Sequence, residues 1–412
     1  MREMKDSGTV WLGTIPANWD IARIGSFYRL RNTKVSDTDY PPLSVTNKGI
    51  VPQLETAAKT NAHDDRKLVK KGDFAINSRS DRRGSCGIAP CDGSVSLINT
   101  ILSPMGEMNP RYYDWLFHTI EFGDEFYKCG HGIVDDLWTT GWQDMKKILI
   151  PYPSLAEQEK IADVLDSQCS QIDAISADIQ KEIEILEQYK RSVITEAVTK
   201  GLNPDAEMKD SGAEWIGEVP TNWDLGRIGG FYSLRNEKVS DKDYPPLSVT
   251  MKGVLPQLET AAKTNDGDNR KLVRKGDFAI NSRSDRRGSC GISKYDGSVS
   301  LINTVLTPRG KMSAAYYDWV FHCTRFSDEF YRQGHGIVDD LWTTGWQEMK
   351  KIIIPVPPLP EQNRIADYLS SKCSDVDFII SQKNQQVETL ANYKKTLIYE
   401  YVTGKKEVPV QN

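Results

Sequence analysis

Apolar positions fall into two textures along the chain. Between residues 19 and 150 they form short runs broken by Gly, Pro, Asn and Asp, as in PPLSVTNKGIVPQL, KKGDFAINSRS, GSVSLINTILSP and KKILIPYP. Their β-branched content and closely spaced turn residues predict strands. The segment Tyr112-Tyr113-Asp114-Trp115-Leu116-Phe117 instead predicts a helix whose aromatic side chains face a core. This part of the chain is therefore predicted to be a mixed α/β globular domain.

A helical pattern of about 42 residues follows Pro151 and Pro153. Ser154-Leu155-Ala156-Glu157 has the form of a capping box at its start. A sustained apolar stripe without Gly or Pro predicts a coiled-coil seam. The alternative, an amphipathic helix covered by its own domain, is disfavoured because such a helix is about 60 Å long. The stripe recurs at steps of three, four or seven through Ile161, Leu165, Ile172, Ile175, Ile179, Leu186, Tyr189 and Val193.

The whole pattern occurs twice. Met4-Lys5-Asp6-Ser7-Gly8 returns as Met208-Lys209-Asp210-Ser211-Gly212, an offset of 204 residues that holds without a gap. The stretch Gly130–Gln143 is identical to Gly334–Gln347. The second copy ends in its own stripe, Ile365, Leu369, Val376, Ile379, Leu390, Tyr393 and Leu397.

Two long helices from duplicated units are expected to pack on each other. We predict an α+β fold in which two globular domains are joined by an antiparallel coiled coil with pseudo-twofold symmetry. At the position that matches Ile179, the second copy has Lys383, and Glu182 interrupts the seam in the first copy. A third or fourth partner helix is therefore a possible addition to the packing. The predicted boundaries are a first globular domain over 1–152, a helical spacer over 153–205, a second globular domain over 206–356 and a second spacer over 357–412.

Net charge conceals a segregation of charge along the chain. With 52 Lys and Arg against 57 Asp and Glu, the net −5 argues against a simple basic nucleic-acid binder. However, Lys59–Arg83 carries eight basic and four acidic residues, as does its counterpart Lys263–Arg287. The helix Leu155–Val198 has ten acids and four bases. A basic strip of this kind is typical of phosphate contact. A merely solvated face is the alternative, but both copies keep the same arginines.

The strongest candidate for DNA contact is the loop Asn77–Gly87 and its counterpart Asn281–Gly291. It follows an apolar strand and is bounded by glycine. Arg can bind guanine and Asn adenine through two hydrogen bonds, and Ser and Arg also suit phosphates. The candidate residues are Asn77, Ser78, Arg79, Ser80, Arg82, Arg83, Asn281, Ser282, Arg283, Ser284, Arg286 and Arg287.

Two further loops are candidates. Ser44–Lys48 offers Asn47 and Lys48, and its counterpart offers Lys252, with Met251 in place of Asn47. The segment Gly130–Asp136 offers His131, with His335 as its counterpart. Its glycines permit a close backbone approach, and its acids could accept a hydrogen bond from cytosine.

Several catalytic classes lack their motifs here. No GxxxxGK[ST] phosphate loop, [DN]PP[YF] tetrapeptide or glycine-rich cofactor loop is present, so neither ATP hydrolysis nor base methylation is expected. Asp136, Asp144 and Lys146 resemble the acidic pair and lysine of metal-dependent nucleases, a pattern common by chance. The chain is therefore predicted to be non-catalytic, without its own cofactor or metal. Cys86 and Cys290 are interpreted as spectator thiols, and His118 and His322 as packing residues.

Other features bear on the compartment. Seven cysteines without a CxxC pair indicate neither a disulfide framework nor a zinc ribbon. No run approaches the roughly 18 apolar residues of a membrane span, and the N-terminus lacks the apolar stretch of a signal peptide. A cytoplasmic protein without membrane contact is expected.

Two paired motifs carry a resemblance to a known family. One runs from Met208 to Trp223 as MKDSGAEWIGEVPTNW, with a copy from Met4 to Trp19. The other is Pro357-Pro358-Leu359-Pro360-Glu361-Gln362 with Ile365, and its first-copy form begins at Pro153. Over nearly its whole length the chain resembles the specificity (S) subunits of type I restriction-modification systems. First-copy Ser154 and Ala156 are a mild departure from the proline-rich form.

The resemblance implies a division of labour. In that family two target recognition domains alternate with two helical conserved regions, which form an antiparallel coiled coil and dock two modification subunits. It implies double-stranded DNA as ligand, modification partners that use S-adenosylmethionine, and restriction partners that use ATP and Mg²⁺. Because the two copies share their candidate loops, we predict near-identical half-sites. A duplicated protein-interaction scaffold without DNA contact is the competing hypothesis.

Overall fold

The architecture was obtained as a computed structural model, which describes residues 2–53, 65–132, 138–257, 267–336 and 342–409. The chain divides into two compact units. Unit 1 consists of Met1–Gln180 with Asn384–Asn412, and unit 2 consists of Lys181–Lys383. Each unit therefore combines one globular copy with parts of both long helices. The predicted boundaries at 152, 205 and 356 stay a prediction.

Short strands and helices alternate in the first copy as its broken apolar pattern predicts. Its helices are α1 (Pro110–Phe117), α2 (Ile120–Lys128) and α3 (Trp142–Met145), followed by the long α4 (Leu155–Lys200). Its strands are β1 (Met4–Asp6), β2 (Thr14–Pro16), β3 (Asp20–Arg23), β4 (Tyr28–Arg31), β5 (Lys34–Val35), β6 (Leu43–Thr46), β7 (Gly49–Pro52), β8 (Arg66–Val69), β9 (Phe74–Asn77), β10 (Cys86–Ile88), β11 (Gly93–Val95), β12 (Asn99–Pro104) and β13 (Leu149–Tyr152).

The second copy repeats this order, with a short α-helix where the first copy has the 3₁₀ helix Ile24–Ser26. Its helices are α5 (Ile228–Phe231), α6 (Ala314–His322), α7 (Thr324–Arg332) and α8 (Trp346–Met349), followed by the long α9 (Leu359–Val402). Its strands are β14 (Met208–Asp210), β15 (Glu218–Pro220), β16 (Asp224–Arg227), β17 (Tyr232–Arg235), β18 (Lys238–Val239), β19 (Leu247–Thr250), β20 (Gly253–Pro256), β21 (Arg270–Val273), β22 (Phe278–Asn281), β23 (Cys290–Ile292), β24 (Gly297–Val299), β25 (Asn303–Pro308) and β26 (Ile353–Val356).

Antiparallel pairing organises the strands in the same way in both copies. The first copy has a four-stranded sheet of order β10-β9-β12-β4 and a three-stranded sheet of order β11-β8-β5. The second copy has β17-β25-β22-β23 and β18-β21-β24. Two-stranded pairs β1-β2, β3-β13 and β6-β7 complete the first copy, with β14-β15, β16-β26 and β19-β20 as counterparts. Together with the helices, these sheets confirm the α+β prediction.

An aromatic core forms where α1 packs against the four-stranded sheet. Tyr28, Phe74 and Phe117 are buried there, and the Phe74 and Phe117 ring centroids lie 4.8 Å apart. The helix begins at Pro110, and the Asn109 side chain caps it by accepting from the backbone N–H of Arg111 at 2.9 Å. The aromatic positions predicted to face a core do so.

The two long helices carry the predicted stripe, with corrections. Ile161, Leu165 and Ile172 are buried as predicted. In contrast, Ile175, Tyr189, Ile379 and Tyr393 are exposed, so these four seam predictions are wrong, while Ile183 is buried although it was not predicted. The physical reason is that a seam must alternate steps of four and three. Positions 172, 176, 179, 183 and 186 do so, whereas 175 and 189 fall on a neighbouring stripe.

Ion pairs show that the helices run antiparallel. In unit 2, Lys190 Nζ lies 2.6 Å from Asp377 Oδ1, and in unit 1 Lys394 Nζ lies 2.6 Å from Asp173 Oδ1. These are the same pair, displaced by the repeat offset of 204 residues. Lys383 binds Glu182 within unit 2. The two charges that interrupt the predicted seam therefore pair with each other.

The pair of Glu182 and Lys383 has no symmetric counterpart, because the matching positions hold Gln386 and Ile179. We expect the double change Glu182→Gln with Lys383→Ile to alter the free energy of unfolding by less than about 1 kcal/mol, since both charges are partly exposed. Denaturant titration measures it. A loss well above that value would show that the pair is essential for helix packing.

Each long helix also ends on a globular copy. Within unit 1 the Tyr112 hydroxyl donates to the Val402 carbonyl at 2.7 Å, and within unit 2 the Tyr316 hydroxyl donates to the Val198 carbonyl at 2.9 Å. Both tyrosines are fully buried. The carbonyls at the ends of α4 and α9 thus find a buried donor, as a buried helix terminus requires.

The predicted capping box at the start of α4 is only half formed. The Glu157 backbone N–H points to Ser154 Oγ at 3.4 Å. The Glu157 carboxylate accepts instead from Trp19 Nε1 at 2.9 Å and from Arg2 at 2.5 Å. It therefore joins the helix to the globular copy rather than capping its own turn. Across the described ranges, no helix is long and apolar enough to cross a membrane.

Candidate nucleic-acid interface

The loop that follows β9 is a fixed turn. Asn77 Oδ1 accepts from the Arg79 backbone N–H at 3.0 Å, and the Asn77 N–H donates to the Ser85 carbonyl at 2.8 Å. Gly84 closes the loop with a φ of 73°, a conformation that favours glycine. The second copy repeats the loop, with Asn281 Oδ1 accepting from the Arg283 N–H at 3.0 Å and Gly288 at a φ of 75°.

Four of the predicted contact residues lie inside the protein. Asn77 is 5% exposed and Ser78 9%, and Ser78 Oγ lies 2.8 Å from Thr100 Oγ1. Asn281 and Ser282 are buried in the same way. Asn and Ser side chains that bond locally fix a turn. The structure gives these four residues a role in holding the loop, and their contact with DNA stays a prediction.

The arginines of the loop are its outward-facing charges. The Arg82 side chain is 68% exposed and lies near Asp81, with a nitrogen–oxygen distance of 3.6 Å. Arg79 lies at the same distance from Asp81 and is less exposed. Ser80 starts the short 3₁₀ helix Ser80–Arg82, which contains Asp81 and Arg82. Ser284–Arg286 repeats the turn, and Arg286 is exposed like Arg82.

Arg83 is held by helix α2. Its guanidinium donates to Asp124 Oδ1 at 3.1 Å and lies 5.2 Å from the centroid of the Tyr127 ring. The second copy places Arg287 3.3 Å from Asp328 Oδ1 and 5.4 Å from the Tyr331 ring. A carboxylate and an aromatic face orient a guanidinium that remains exposed. Arg83 and Arg287 are therefore pre-oriented, whereas the ion pairs of Arg82 and Arg286 within the described residues are to the adjacent aspartates, Asp81 and Asp285.

Tyr127 connects this arginine to the loop backbone. Its hydroxyl donates to the Asn77 carbonyl at 3.3 Å, and the Tyr331 hydroxyl donates to the Asn281 carbonyl at 2.9 Å. Burial raises the pKa of both tyrosines, so their hydroxyls stay protonated and able to donate. The residues Asp124 and Tyr127 were missed by the sequence analysis, because nothing in the local pattern links α2 to this loop.

Asn47 and Lys48 lie at the exposed tip of the β6-β7 hairpin. Thr46 shapes the tip: its Oγ1 donates to the Gly49 carbonyl at 2.9 Å and accepts from the Lys48 N–H at 3.1 Å. Thr250 makes the same two bonds at 3.0 and 3.1 Å, which places Met251 and Lys252 at the tip of the second hairpin. The apolar sides of the first hairpin, Leu43 and Ile50, belong to a second, smaller core.

A close backbone approach joins the hairpin to the arginine loop. A Cβ added to Gly87 would lie 2.8 Å from the Gly49 Cα, and one added to Gly291 would lie 2.7 Å from the Gly253 Cα. Real side chains do not reach such distances to backbone atoms. Glycine at both positions is therefore required for the hairpin tip to lie beside the loop.

We expect Gly87→Ala to separate the hairpin from the loop and to cost about 1–3 kcal/mol, the range for an overpacked site. Amide hydrogen exchange in β6 and β7 should become faster, while β19 and β20 stay as in the wild type. Gly123→Ala is the matched control, because an added Cβ there meets open space in α2. Unchanged protection of β6 and β7 would contradict the proposed contact.

The third candidate segment is tied to the first by main-chain bonds. The Thr140 N–H donates to the Ser78 carbonyl at 2.9 Å, and Thr139 forms bridges with both Arg79 and His131. In the second copy the Thr344 N–H donates to the Ser282 carbonyl at 3.0 Å, and Thr343 bridges Arg283 and His335. His131 is exposed, with Nδ1 3.6 Å from Asp144 Oδ2. Asp135 and Asp136 lie outside the described residues.

The three candidate segments therefore lie together in each copy. The hairpin tip meets β10 through Gly87, and the His131 segment meets the arginine loop through Thr139 and Thr140. Trp138 fixes the last segment by donating from Nε1 to the Tyr127 carbonyl at 2.8 Å. In the second copy a shallow pocket beside the arginine loop is lined by Ser284, Asp285, Arg287, Asp328, Tyr331, Arg332 and Trp342.

The predicted basic strip is not continuous. Arg66 is buried and donates to Ser94 Oγ and to the Ser94 carbonyl, both at 2.9 Å. Lys67 donates to the Asn99 carbonyl at 2.7 Å, and burial lowers its pKa. Arg270 and Lys271 make the corresponding bonds. These residues stabilise the three-stranded sheet, so the prediction that they form a phosphate-facing strip is wrong. Lys59 and Lys263 lie outside the described residues.

The cysteine and histidine side chains considered in the sequence have structural contacts in the described residues. Cys86 is fully buried, donates to the Phe117 carbonyl and has its pKa raised by burial, which agrees with a spectator thiol. His118 is partly buried, with Nδ1 2.8 Å from the Asp114 carbonyl. Within the described ranges, no group of three or more His, Cys, Asp or Glu residues is placed to hold a metal ion.

Residues 220–389 match the family model for a type I restriction modification DNA specificity domain. This part of the chain is therefore similar to a type I specificity domain. The match covers most of the second copy and its long helix. Counting back by the repeat offset of 204 residues, the counterpart in the first copy is 16–185. The arginine loop, the hairpin and the His335 segment of the second copy all lie inside the matched domain.

Proteins similar to this chain include type I restriction enzyme specificity subunits. The type I restriction enzyme MjaVIII specificity subunit of Methanocaldococcus jannaschii is 25% identical over 240 residues, which is 54% of this chain and 51% of that protein. The type I restriction enzyme EcoDI specificity subunit of Escherichia coli is 19% identical over 291 residues, 63% of each. The chain thus spans about half to two thirds of the length of these relatives.

Solved structures share the fold of this chain. A chain from a structure of the type I R-M system, which concerns complex assembly and conformational transition, matches with a TM-score of 0.70 at 14% identity. That alignment covers 95% of this chain and 99% of the other. The HsdS subunit from Thermoanaerobacter tengcongensis matches with a TM-score of 0.53 at 16% identity, over 95% and 98% of the two chains.

Proposed function

We propose that this chain is the DNA-recognition subunit of a type I restriction-modification complex. It binds a bipartite site on double-stranded DNA, with one half-site for each copy. It docks modification and restriction subunits and performs no chemistry itself. S-adenosylmethionine, ATP and Mg²⁺ are then bound by those partners.

The observation that carries this proposal is the convergence of three loops in each copy. The arginine loop, the hairpin tip and the His131 segment lie side by side and expose Arg82, Arg83 and Lys48. Arg suits both phosphate and guanine, and Lys suits phosphate. Loops fixed by internal hydrogen bonds present such groups without a large ordering cost.

Exposed apolar residues on the long helices support protein partners. Ile175 and Tyr189 on α4 are exposed, as are Ile379 and Tyr393 on α9. Ile379 is the counterpart of Ile175, and Tyr393 that of Tyr189, at the repeat offset. Apolar residues that recur on one side of a helix favour a protein surface as the occupant. We assign these positions to the docking of two modification subunits, one for each symmetric set.

The duplication also bears on the DNA sequence. The loop Asn77–Gly87 is identical to Asn281–Gly291, so both copies present the same arginines and serines. We therefore expect the two copies to bind two near-identical half-sites on opposite strands, an interrupted palindrome. By analogy with symmetric dimers, the half-sites should lie about one helical turn, roughly 34–36 Å, apart.

Mapping of methylated adenines tests the proposal. The chain is expressed with the modification subunit of its own system in a host free of adenine methylation. We expect methylation in a bipartite motif whose halves are nearly the same sequence on opposite strands. Two unrelated half-sequences would contradict the palindrome, and absence of any new motif would contradict the recognition function.

A duplicated protein-interaction scaffold is the competing function. Its charges would be incidental, so it would show no salt-dependent affinity for DNA. Filter-binding titrations of the chain with its modification partner, repeated over a series of salt concentrations, separate the two. Recognition is supported if the logarithm of the DNA association constant falls linearly with the logarithm of the salt concentration.

A further inference from the structure

The two copies differ at a single exposed residue of the hairpin tip. Ser44–Gly49 and Ser248–Gly253 are otherwise identical in sequence, with Asn47 in the first and Met251 in the second. Both residues are exposed, and Met251 is 72% exposed. The arginine loops are identical, as are Trp138–Trp142 and Trp342–Trp346. Among the hairpin, the arginine loop and the His131 segment, position 47/251 is therefore the one at which a polar side chain in one copy is matched by an apolar side chain in the other.

The difference does not arise from the backbone. Thr46 and Thr250 make the same two hydrogen bonds across their turns, with lengths that agree within 0.1 Å. The close approach of Gly87 to Gly49 is repeated by Gly291 and Gly253. Each hairpin tip is thus placed beside its arginine loop in the same way. The side chains of Asn47 and Met251 occupy equivalent places.

The two side chains can recognise different bases. The Asn amide donates and accepts, and it can form two hydrogen bonds with adenine N6 and N7. The Met thioether is only a weak acceptor, so its contacts are apolar and adaptable. An Asn at the tip can therefore specify a base pair that a Met at the same place does not specify by hydrogen bonding.

From this comparison we propose that position 47/251 breaks the palindrome at one base pair. Building on the proposed function, the half-site bound by the first copy has an adenine opposite Asn47. The half-site bound by the second copy lacks that requirement opposite Met251. The positions read by the arginine loop and by the His131 segment are the same in both halves, because these two segments are identical to their counterparts in the second copy.

Three forms of the full chain test this inference: the wild type, Met251→Asn and Asn47→Met. Each is expressed with its modification partner, and the methylated motif is mapped. In the wild type we expect one asymmetric position, with an adenine preference of about five- to a hundredfold in one half only. Met251→Asn should extend that preference to the second half, and Asn47→Met should remove it from the first.

Ile50→Val is the matched control. Ile50 is buried in the same hairpin, and the second copy already has Val254 there, so the motif should not change. A wild-type motif that is a perfect palindrome, or an asymmetry that survives Met251→Asn, overturns the inference. A motif with two unrelated halves, or no motif, contradicts the proposed function instead, so the two failures are distinguishable.

Discussion

Replacing Arg82, Arg83, Arg286 and Arg287 together with alanine is expected to lower DNA affinity by about a thousandfold at 0.1 M salt. Each phosphate contact contributes about 0.9 to the slope of log affinity against log salt, so four contacts contribute about 3.6. The exposed fractions of the four side chains lie between 59% and 69%. Titration of the chain with its modification partner at several salt concentrations measures both quantities.

A control removes four positive charges elsewhere in the same copies. Lys5 and Arg23 are exposed on β1 and β3, and Lys209 and Arg227 are their counterparts. Their replacement by alanine should change the slope by less than about one. If the loop variant keeps the wild-type affinity and slope, DNA binds at another surface. If both variants lose affinity equally, the effect is one of overall charge.

Removing the carboxylate of Asp277 should destabilise the four-stranded sheet of unit 2 by about 3–5 kcal/mol, the cost of breaking a buried ion pair. Asp277 is 2% exposed. Its oxygens accept from Arg235 Nε at 2.6 Å, from the Arg274 N–H at 2.8 Å and from Thr307 Oγ1 at 3.0 Å. Asp277→Ala leaves all three donors without this partner.

Amide hydrogen exchange followed by mass spectrometry measures this loss with an internal reference. Exchange in β22 (Phe278–Asn281) should be on the order of a hundredfold faster or more, whereas β9 (Phe74–Asn77) of unit 1 keeps its wild-type rate. Asp296→Ala is the matched control, because Asp296 is exposed and accepts from the Lys275 N–H at 2.7 Å in the neighbouring turn. Equal exchange in Asp277→Ala and Asp296→Ala would refute the buried-pair argument.

Sequence repetition indicates candidate segments without any knowledge of tertiary contacts. Residue type and recurrence at the same offset indicate the arginine loop, the hairpin and the His131 segment. The structure places all three together in each copy. Residue type does not show whether a side chain points into the protein or out toward a ligand. Asn77 looks like a base contact in the sequence, but its amide oxygen is used by the Arg79 N–H.

Long-range pairing explains the remaining errors. The sequence predicts Arg66 to be a surface charge. Its acceptor Ser94 lies on β11, 28 residues along the chain, so the local pattern does not show that Arg66 is buried. The Asp124 that holds Arg83 is 41 residues away and on a helix. In the long helices, spacing alone gave two neighbouring stripes, and Ile175 was assigned to the wrong one. Packing against the second helix, which buries Ile183, selects between them.

The Glu182–Lys383 pair has a consequence for which helices associate. In a homotypic antiparallel pair of two α4 helices at the same register, Glu182 would face Ile179, and in a pair of two α9 helices Lys383 would face Gln386. Only the heterotypic pair of α4 with α9 matches opposite charges there. The one departure from symmetry in these ion pairs therefore favours pairing of α4 with α9 over pairing of two identical helices from different molecules.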